Sequence, residues 1–293
     1  MRVRTLPRTD VTVSEVGFGA WTLAGGWWGE TDEREAVHLL RAALDRGVTL
    51  YDTGDHRDAG GRAEAQLARA FAGRREEVVY SIGIGGRADA WSPESVRGAC
   101  ERSLAGLGTD RIDVVRLHDP PARALRPGGA LGAVADLVAA GTVRACVLSS
   151  AWSLLEPAGA GRVAAQAREA GLAVMVRDPL CSGMLEAKYT PETAFPPGDP
   201  RSRRPREWLP DGLRATRALG FLIEGRPQSL GQAALKWLLA EPLVAAVLPD
   251  VYGPAQLAEF AAASDLPDLD EDDLARIGAL QADVFGAQVS SAG

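Results

Sequence analysis

The chain has 293 residues, of which 46% are hydrophobic and 24% charged, so it can bury one large core and we expect a single domain over residues 1–293. Its 32 basic and 39 acidic residues give a net charge of −7 without any basic block, which excludes nucleic acid as an expected partner. The start of the chain has no apolar signal region and no run approaches the roughly 18 residues that span a bilayer, so we expect a cytoplasmic protein that does not bind membranes.

Seven β-rich runs recur along the chain, with helical patterns between them. They begin near Gly17, Thr49, Val78, Ile112, Val143, Leu172 and Val244. Between the first two, the stretch 32–46 carries apolar residues at helical spacing and ends at Gly47. Strands that alternate with helices about every 30 residues predict βαβ units in a parallel sheet. Because most runs are apolar on both faces, we expect helices to cover the sheet and side chains to fill a barrel.

A stretch rich in proline and arginine follows the sixth run, from Met184 to Pro227. Strand-like and helical patterns resume after it, so we interpret it as a long loop and not as a linker. In a (β/α) barrel such a loop lies over the end where active sites form. We predict no metal site, because the three histidines show no metal-binding spacing and the three cysteines, which we expect to be free thiols, do not join them.

Several runs resemble, in order, the landmarks of one known family. The opening strand GFGAW, the stretch LYDTGD with the helix GRAEAQLARAF, and the runs DRIDVVRLHDP and GTVRACVLSS each resemble a segment of the aldo-keto reductases. The later runs DPLCSGMLEAKYTPETAFPPGDPRSR and SLGQAALKWLLAEPLVAAVLPD extend the resemblance over nearly the whole chain. The resemblance implies an α/β fold, a TIM-type (β/α) barrel of aldo-keto reductase type.

One unit of that barrel is missing from the sequence. In the family a helix and a sixth strand follow a Ser-Asn stretch, whereas here SSAW runs straight into SLLEP. The resemblance therefore implies a barrel without its sixth strand and helix. Removing a strand opens a barrel edge, and open edges are normally covered or paired. We expect either a contact in a homodimer or a rebuilt segment from Trp152 to Gly161 to close this one.

The catalytic residues of the family are kept only in part. The family uses a tyrosine that donates a proton, a lysine paired with an aspartate, and a histidine that orients the substrate. Asp52 and His118 match the aspartate and the histidine, but Arg57 stands where the tyrosine falls and Gly83 where the lysine falls. An arginine stays protonated and cannot act as a general acid. Tyr51 precedes the inward-facing Asp52, so strand alternation points it out of the barrel.

The positions that bind nicotinamide in the family also depart from its pattern. Arg177 and Asp178 stand where the family has a tyrosine that stacks on the ring and the serine after it. Ser149 and Ser150 replace the Ser-Asn pair, and Asp250 stands where basic or small residues face the adenosine phosphate. We therefore expect no cofactor and assign Arg177 and Asp178 to substrate binding, with a structural ion pair across the deletion as the alternative.

Other polar and aromatic residues fall near the same strand ends. His56 lies in the loop with Arg57, and both are predicted to face the active site, although ordinary loop composition explains them equally well. Trp21, Trp28 and Trp152 are predicted to wall the substrate pocket, and simple packing is the alternative for each.

The selective loss of the hydride-transfer residues leads to our first hypothesis. It is a cofactor-independent enzyme that performs proton-transfer chemistry, as a dehydratase, lyase, isomerase or cyclase, on a small metabolite, with an anionic one as the first candidate. His118 or His56 is then the general acid or base, and Asp52 orients a histidine or acts as the partner base. Arg57 or Arg177 holds the substrate anion or stabilises an enolate-like charge.

Two alternatives stay open. The first is an NADPH-dependent aldo-keto reductase with a rearranged active site, in which His56 or His118 donates the proton. The second is a barrel without catalytic activity that binds a ligand or a partner protein.

Overall fold

The computed structural model describes residues 1–24, 31–54 and 61–282. The chain opens with an antiparallel hairpin of β1 (Val3–Thr5) and β2 (Thr12–Ser14). Apolar side chains of this hairpin are buried in one cluster with the apolar side chains inside the barrel. The hairpin therefore covers the amino-terminal end of the barrel strands, which is opposite to the end where barrel enzymes bind substrates.

Seven parallel strands form the barrel and pair in chain order. They are β3 (Phe18–Gly19), β4 (Leu50–Gly54), β5 (Val79–Gly85), β6 (Ile112–His118), β7 (Val143–Ala151), β8 (Val174–Arg177) and β9 (Val244–Leu248). The ring closes where the residues before β3 meet β9. There the Gly17 N–H donates to the Val247 carbonyl and the Val247 N–H donates to the Glu15 carbonyl, both at 2.9 Å. The predicted seven-stranded (β/α) barrel is confirmed.

The strands on either side of the missing unit pair directly with each other. Leu148 pairs with Val174 and Ala151 pairs with Arg177, so β7 and β8 form a continuous parallel ladder. Such a ladder satisfies the backbone N–H and C=O groups of both strands. The expected open edge is therefore wrong, and closing the barrel requires neither a homodimer contact nor a rebuilt segment.

Helices surround the strands, and none of those in the described ranges combines the length and apolar character of a membrane span. They are α1 (Trp21–Ala24), α2 (Glu33–Asp45), α3 (Arg62–Ala70), α4 (Pro93–Leu107), α5 (Ala130–Ala139), α6 (Ala158–Ala170), α7 (Trp208–Ala218), α8 (Leu230–Leu239), α9 (Pro254–Ala262) and α10 (Glu271–Leu280). Local sequence sets their ends. Ser92 caps α4, and Gly108 ends it in the left-handed conformation with φ 61°.

Helix α7 lies inside the stretch that the sequence predicts to be a long loop. Its Pro210 falls in the first helical turn, where a missing N–H breaks no intrahelical hydrogen bond. Its Gly212 lies so close to the buried side chain of Met184 that a β-carbon there would require Met184 to move. The interpretation as one unstructured loop is therefore wrong, because two residues that usually interrupt helices are tolerated at these positions.

The inward side chains fill the barrel in two zones, because alternate residues of a strand face the same side. The zone toward the amino-terminal ends is apolar and includes Leu50, Val114, Val147, Met175 and Leu248. The zone toward the carboxyl ends is polar and includes Asp52, Ser81, Arg116, His118, Ser149 and Arg177. Because active sites of (β/α) barrels form at the carboxyl ends of the strands, the polar zone is the candidate functional site.

Candidate functional site

Asp52 is the centre of the polar zone and has 1% of its side chain exposed. It lies on β4 in register with Ser81 of β5, whose hydroxyl donates to Asp52 Oδ1 at 2.7 Å. Arg116 of β6 binds the same carboxylate through two nitrogens, with Nε 2.9 Å from Oδ1 and Nη2 3.0 Å from Oδ2. Asp52 is therefore the acceptor of a buried, two-pronged ion pair.

Sequence reasoning missed Arg116, the largest of the fully buried side chains. It faces Gly83 in register, and Gly83 is the position where the resemblance places the family's lysine. A side chain from the neighbouring strand thus supplies the positive charge beside Asp52 that Gly83 lacks. Strand alternation was the available signal, because Val114, Arg116 and His118 must face the same side of β6.

A hydrogen-bonded chain continues from Arg116 to the mouth of the barrel. Arg116 Nη1 donates to Ser149 Oγ at 2.9 Å, and Ser149 Oγ lies 3.1 Å from His118 Nδ1. On the other side of the imidazole, Nε2 is 3.4 Å from Oδ2 of Asp119. We call these five residues the Asp52–Asp119 chain. It joins two of the predicted catalytic residues, Asp52 and His118, without direct contact between them.

The outer end of the Asp52–Asp119 chain is fixed from two further elements. Asp119 Oδ1 accepts from Ser150 Oγ at 2.7 Å and from Arg162 Nη2 of α6 at 2.9 Å. Asp119 has a φ of 48°, an uncommon backbone conformation for a residue other than glycine. These contacts hold the carboxylate against the histidine.

Arg177 and Asp178 follow each other at the end of β8 but turn to different surroundings. Arg177 is buried, and its guanidinium carbon lies 5.4 Å from the ring centroid of Trp21. Asp178 accepts from the Ser182 N–H at 2.6 Å and lies 3.5 Å from Arg204. Burial raises the pKa of the Asp178 carboxyl. The two residues therefore do not form the structural ion pair considered as the alternative, and their part in substrate binding stays a prediction.

The remaining predicted residues are only partly described. Trp152 is buried and packs edge-on against Trp237 of α8, with ring centroids 6.1 Å apart. Its predicted contact with substrate stays a prediction. His56, Arg57 and Trp28 lie outside the described residues.

None of the four tyrosine hydroxyls belongs to the Asp52–Asp119 chain. Tyr51 and Tyr80 donate outward to backbone carbonyls of α2 and α3, which confirms that Tyr51 points out of the barrel. Tyr189 donates to the Ser182 carbonyl at 2.6 Å. Tyr252 donates to Glu186 at 3.0 Å and receives a hydrogen bond from Lys188. No tyrosine hydroxyl of the chain therefore lies beside Asp52 as the family's proton donor does.

Lys188, Tyr252 and Glu186 form a separate polar group on the loops after β8 and β9. Lys188 Nζ is 3.3 Å from the Tyr252 hydroxyl and 2.5 Å from Glu186 Oε2. Burial raises the pKa of Tyr252, and the nearby Glu186 carboxylate adds to that shift. Three strand-to-strand steps separate β9 from β6, so this group lies across the barrel from His118. The sequence gives no spacing from which it could be predicted.

Two features of the polar end bear on the binding of a phosphate and of a planar ring. Helix α9 begins soon after β9 at Pro254, which has no N–H, and no side chain of the described residues caps the N–H groups that follow. The flat guanidinium of Arg177 lies at the end of the neighbouring strand β8. No group of three potential metal ligands occurs among residues 1–24, 31–54 and 61–282.

Comparison with known proteins gives the same relationship from sequence and from structure. The model of the "Aldo/keto reductase family" matches residues 15–156 and 150–282, and the two matches meet where the βα unit is missing. The chain is 27% identical to the aldo-keto reductase YhdN of Bacillus subtilis (strain 168), over 88% of this chain and 87% of that protein. It is 23% identical to the NADH-specific methylglyoxal reductase of Escherichia coli (strain K12), over 91% of this chain and 94% of that protein.

A solved structure shares the fold. The glycerol dehydrogenase of Gluconobacter oxydans superimposes with a TM-score of 0.80 at 22% identity, over 96% of this chain and 95% of that chain. The named relatives are oxidoreductases. The expectation of a cofactor-independent dehydratase, lyase, isomerase or cyclase is therefore wrong, and the expected absence of a nicotinamide cofactor loses its support. The losses at Arg57 and Gly83 were part of the basis for that expectation, and Arg116 supplies the positive charge beside Asp52 that Gly83 lacks.

Proposed function

Because the chain belongs to the aldo/keto reductase family, we propose that it is a nicotinamide-dependent oxidoreductase that reduces the carbonyl group of a small molecule. The observation that carries this proposal is the position of His118. It ends β6 at the carboxyl side of the barrel and is held there by the Asp52–Asp119 chain. Substrates of barrel enzymes bind at this side.

The residues present fit a nicotinamide dinucleotide at its pyrophosphate and at its ring, whereas Asp250 would repel the additional adenosine phosphate of NADPH. The uncapped N–H groups at the start of α9 suit a phosphate, and barrels commonly bind phosphate between the loops after the last two strands and such a helix start. At the ring end, Arg177 takes the position of the family's stacking tyrosine, and a planar guanidinium can stack on a ring. When bound, the reduced nicotinamide supplies the hydride.

The protein's own contribution to the reaction centres on His118. Its Nε2–H donates a hydrogen bond to the substrate carbonyl oxygen and stabilises the negative charge that develops there as the carbon accepts hydride. The π electrons of the carbonyl move to the oxygen, which then takes a proton from water and releases hydroxide. In this scheme His118 orients and polarises the substrate, and water replaces the missing tyrosine as the proton source.

Arg177 affects which form of the cofactor binds more tightly. The reduced nicotinamide ring is neutral and the oxidised ring is cationic, so a guanidinium beside the ring disfavours the oxidised form. Because Arg177 is buried, water screens this repulsion only weakly. We expect the reduced cofactor to bind more tightly than the oxidised one.

The test begins with calorimetric titration of the full chain with NADPH and NADH, followed by turnover of methylglyoxal and other small aldehydes. We expect micromolar binding of one reduced cofactor and a loss of about 10²–10³-fold in kcat for His118→Ala. His38→Ala is the matched control, because His38 is exposed on α2, and it leaves kcat unchanged. Absence of binding at millimolar cofactor would overturn the proposal.

A second variant tests the source of the proton. Tyr252→Phe removes the hydroxyl that lies next to Lys188, the nearest equivalent of the family's tyrosine and lysine. We expect this variant to keep its turnover. A loss of kcat comparable with that of His118→Ala would show that Tyr252, and not water, donates the proton.

A further inference from the structure

We propose that Arg116 is a positioning residue that acts through Ser149 to set the tautomer of His118, with the proton on Nε2 at the mouth of the barrel. The inference deepens the proposed function and rests on it for its catalytic meaning. The hydrogen-bond argument itself requires no cofactor or substrate.

The first step concerns the direction of each hydrogen bond. A guanidinium carries only donors, so Ser149 Oγ must accept the bond from Arg116 Nη1 at 2.9 Å. The two other nitrogens of Arg116 are bound to Asp52 at 2.9 and 3.0 Å, which fixes the plane of the guanidinium. The direction of the hydrogen bond from Nη1 to Ser149 Oγ is therefore fixed.

The second step concerns the serine hydroxyl. Ser149 has one hydrogen to donate, and its oxygen already accepts from a cation, which polarises the O–H bond and strengthens it as a donor. The neighbouring acceptor is His118 Nδ1, 3.1 Å away. The hydroxyl hydrogen therefore goes to Nδ1, and Nδ1 must be unprotonated to receive it.

The third step comes from the other side of the imidazole. The Asp119 Oδ2 lies 3.4 Å from His118 Nε2, a long contact in which the negative charge of the carboxylate attracts a hydrogen on Nε2 without holding it in a short hydrogen bond. Arg162 and Ser150 donate hydrogen bonds to the other oxygen of Asp119 and hold the carboxylate in place. Both sides of the ring thus favour the same neutral tautomer, with Nδ1 bare and the hydrogen on Nε2.

The fourth step explains why arginine suits this position better than the lysine of the family. An ammonium concentrates its donors on one nitrogen, whereas a guanidinium spreads them over three. Arg116 can therefore neutralise Asp52 and hold Ser149 at the same time. The Asp52–Arg116 pair is neutral overall. It therefore influences the tautomer of His118 through the hydrogen bond of Ser149 and not through a net charge.

The experiment is a long-range ¹H–¹⁵N correlation spectrum of the full chain, which reports the tautomer of each of its three histidines. It is recorded near pH 9, above the usual histidine pKa of about 6.5, and His118→Gln assigns the signal. We expect the Nε2–H pattern for His118 in the wild-type protein. Ser149→Ala keeps the Asp52–Arg116 pair but removes the hydroxyl, and we expect a mixture of tautomers.

Matched variants separate positioning from general damage. Ser149→Thr keeps a hydroxyl and restores the Nε2–H pattern. The double variant Asp52→Asn with Arg116→Met removes the ion pair without leaving a single buried charge, and we expect mixed tautomers. Arg144→Met removes an arginine from the buried Asp113 at the other end of the barrel and leaves the His118 signal unchanged.

The results decide between the two proposals. A wild-type His118 with its proton on Nδ1, or an unchanged pattern in Ser149→Ala, overturns the role of Arg116. In the reductase assay Ser149→Ala lowers kcat by roughly 10²-fold and Ser149→Thr recovers it, since a histidine in the wrong tautomer presents the wrong nitrogen. If cofactor binding fails while the spectra behave as expected, the proposed function falls and the positioning by Arg116 stands.

Discussion

Asp113 and Asp52 are both buried carboxylates on barrel strands, and they lie at opposite ends of the strands. Asp113, near the start of β6, is bound by Arg75 at 2.7 Å and by Arg144 at 3.1 Å, and these arginines keep 19% and 33% of their side chains exposed. Asp52 is bound by Arg116, which is only 1% exposed. The first carboxylate is neutralised from the surface, and the second from inside the barrel.

The different partners of Asp113 and Asp52 indicate different roles for the two carboxylates. The hydrogen bonds of Asp113 end on the Tyr80 N–H and on arginines that reach solvent, so the group ties the amino-terminal ends of the strands together. The hydrogen bonds of Asp52 continue through Ser149 to His118 at the mouth. In barrels the first end serves stability and the second carries chemistry.

The largest expected effect is on stability. Asp52→Ala leaves the Arg116 charge buried without its carboxylate and should lower the free energy of unfolding by about 3–5 kcal/mol. In Asp113→Ala the arginines can turn toward water, so we expect a smaller loss of about 1–3 kcal/mol. Urea denaturation measures both. Equal losses would remove the distinction between the two carboxylates, and partial recovery in Asp52→Asn with Arg116→Met would sharpen it.

The second expected effect is on turnover. Measured well below the unfolding midpoint, Asp52→Asn should lower kcat by roughly 10²-fold, because Arg116 then holds Ser149 and His118 less firmly. Asp113→Asn should leave kcat unchanged. The ratio of the two kcat values tests whether only the carboxyl end takes part in catalysis. A comparable loss in both variants contradicts it.

The third expected effect is on cofactor preference. Arg177→Tyr removes the positive charge beside the ring and should bring the Kd of the oxidised cofactor closer to that of the reduced one, by about 1 kcal/mol or roughly fivefold. Arg177→Lys keeps the charge and should keep the difference between the two Kd values. Calorimetric titration with both cofactor forms gives the answer. An unchanged Kd ratio in Arg177→Tyr would mean that Arg177 does not face the ring.

The smallest expected effect is at the amino-terminal end. Arg144→Met removes one of the arginines around Asp113 while Arg75 stays in place at 2.7 Å. Because Arg144 is one-third exposed, we expect a loss of about 0–1 kcal/mol and no change in kcat. Chemical denaturation and the reductase assay check this. A loss as large as that of Asp113→Ala would show that Arg144 alone neutralises the carboxylate.

Much of the fold follows from local patterns in the sequence. The period of two places Asp52 inside and Tyr51 outside, and both positions are observed. The seven strands follow from apolar runs bounded by turns. Helix α7 was not predicted because it contains a proline and a glycine. Both are tolerated for reasons that the local sequence does not show, namely the position of the helix start and the contact with Met184.

The site was less predictable, because its key contacts join different strands. Nothing in the local sequence says that Arg116 and Gly83 are in register, so the replacement of the family's lysine from β6 could not be read from position 83 alone. The same limit applies to the deletion. Whether β7 and β8 can pair depends on the geometry of all seven strands. The sequence near Trp152 therefore does not predict that pairing.

The direct pairing of β7 with β8 also determines the circumference of the barrel. A ring of seven strands is shorter in circumference than a ring of eight by one interstrand spacing, about 4.8 Å. The strand ends that carry His118 and Arg177 are therefore two spacings apart, with only β7 between them. If hydride transfer takes place between these two strand ends, as proposed above, we expect the seven-stranded ring to favour compact carbonyl compounds over bulky ones.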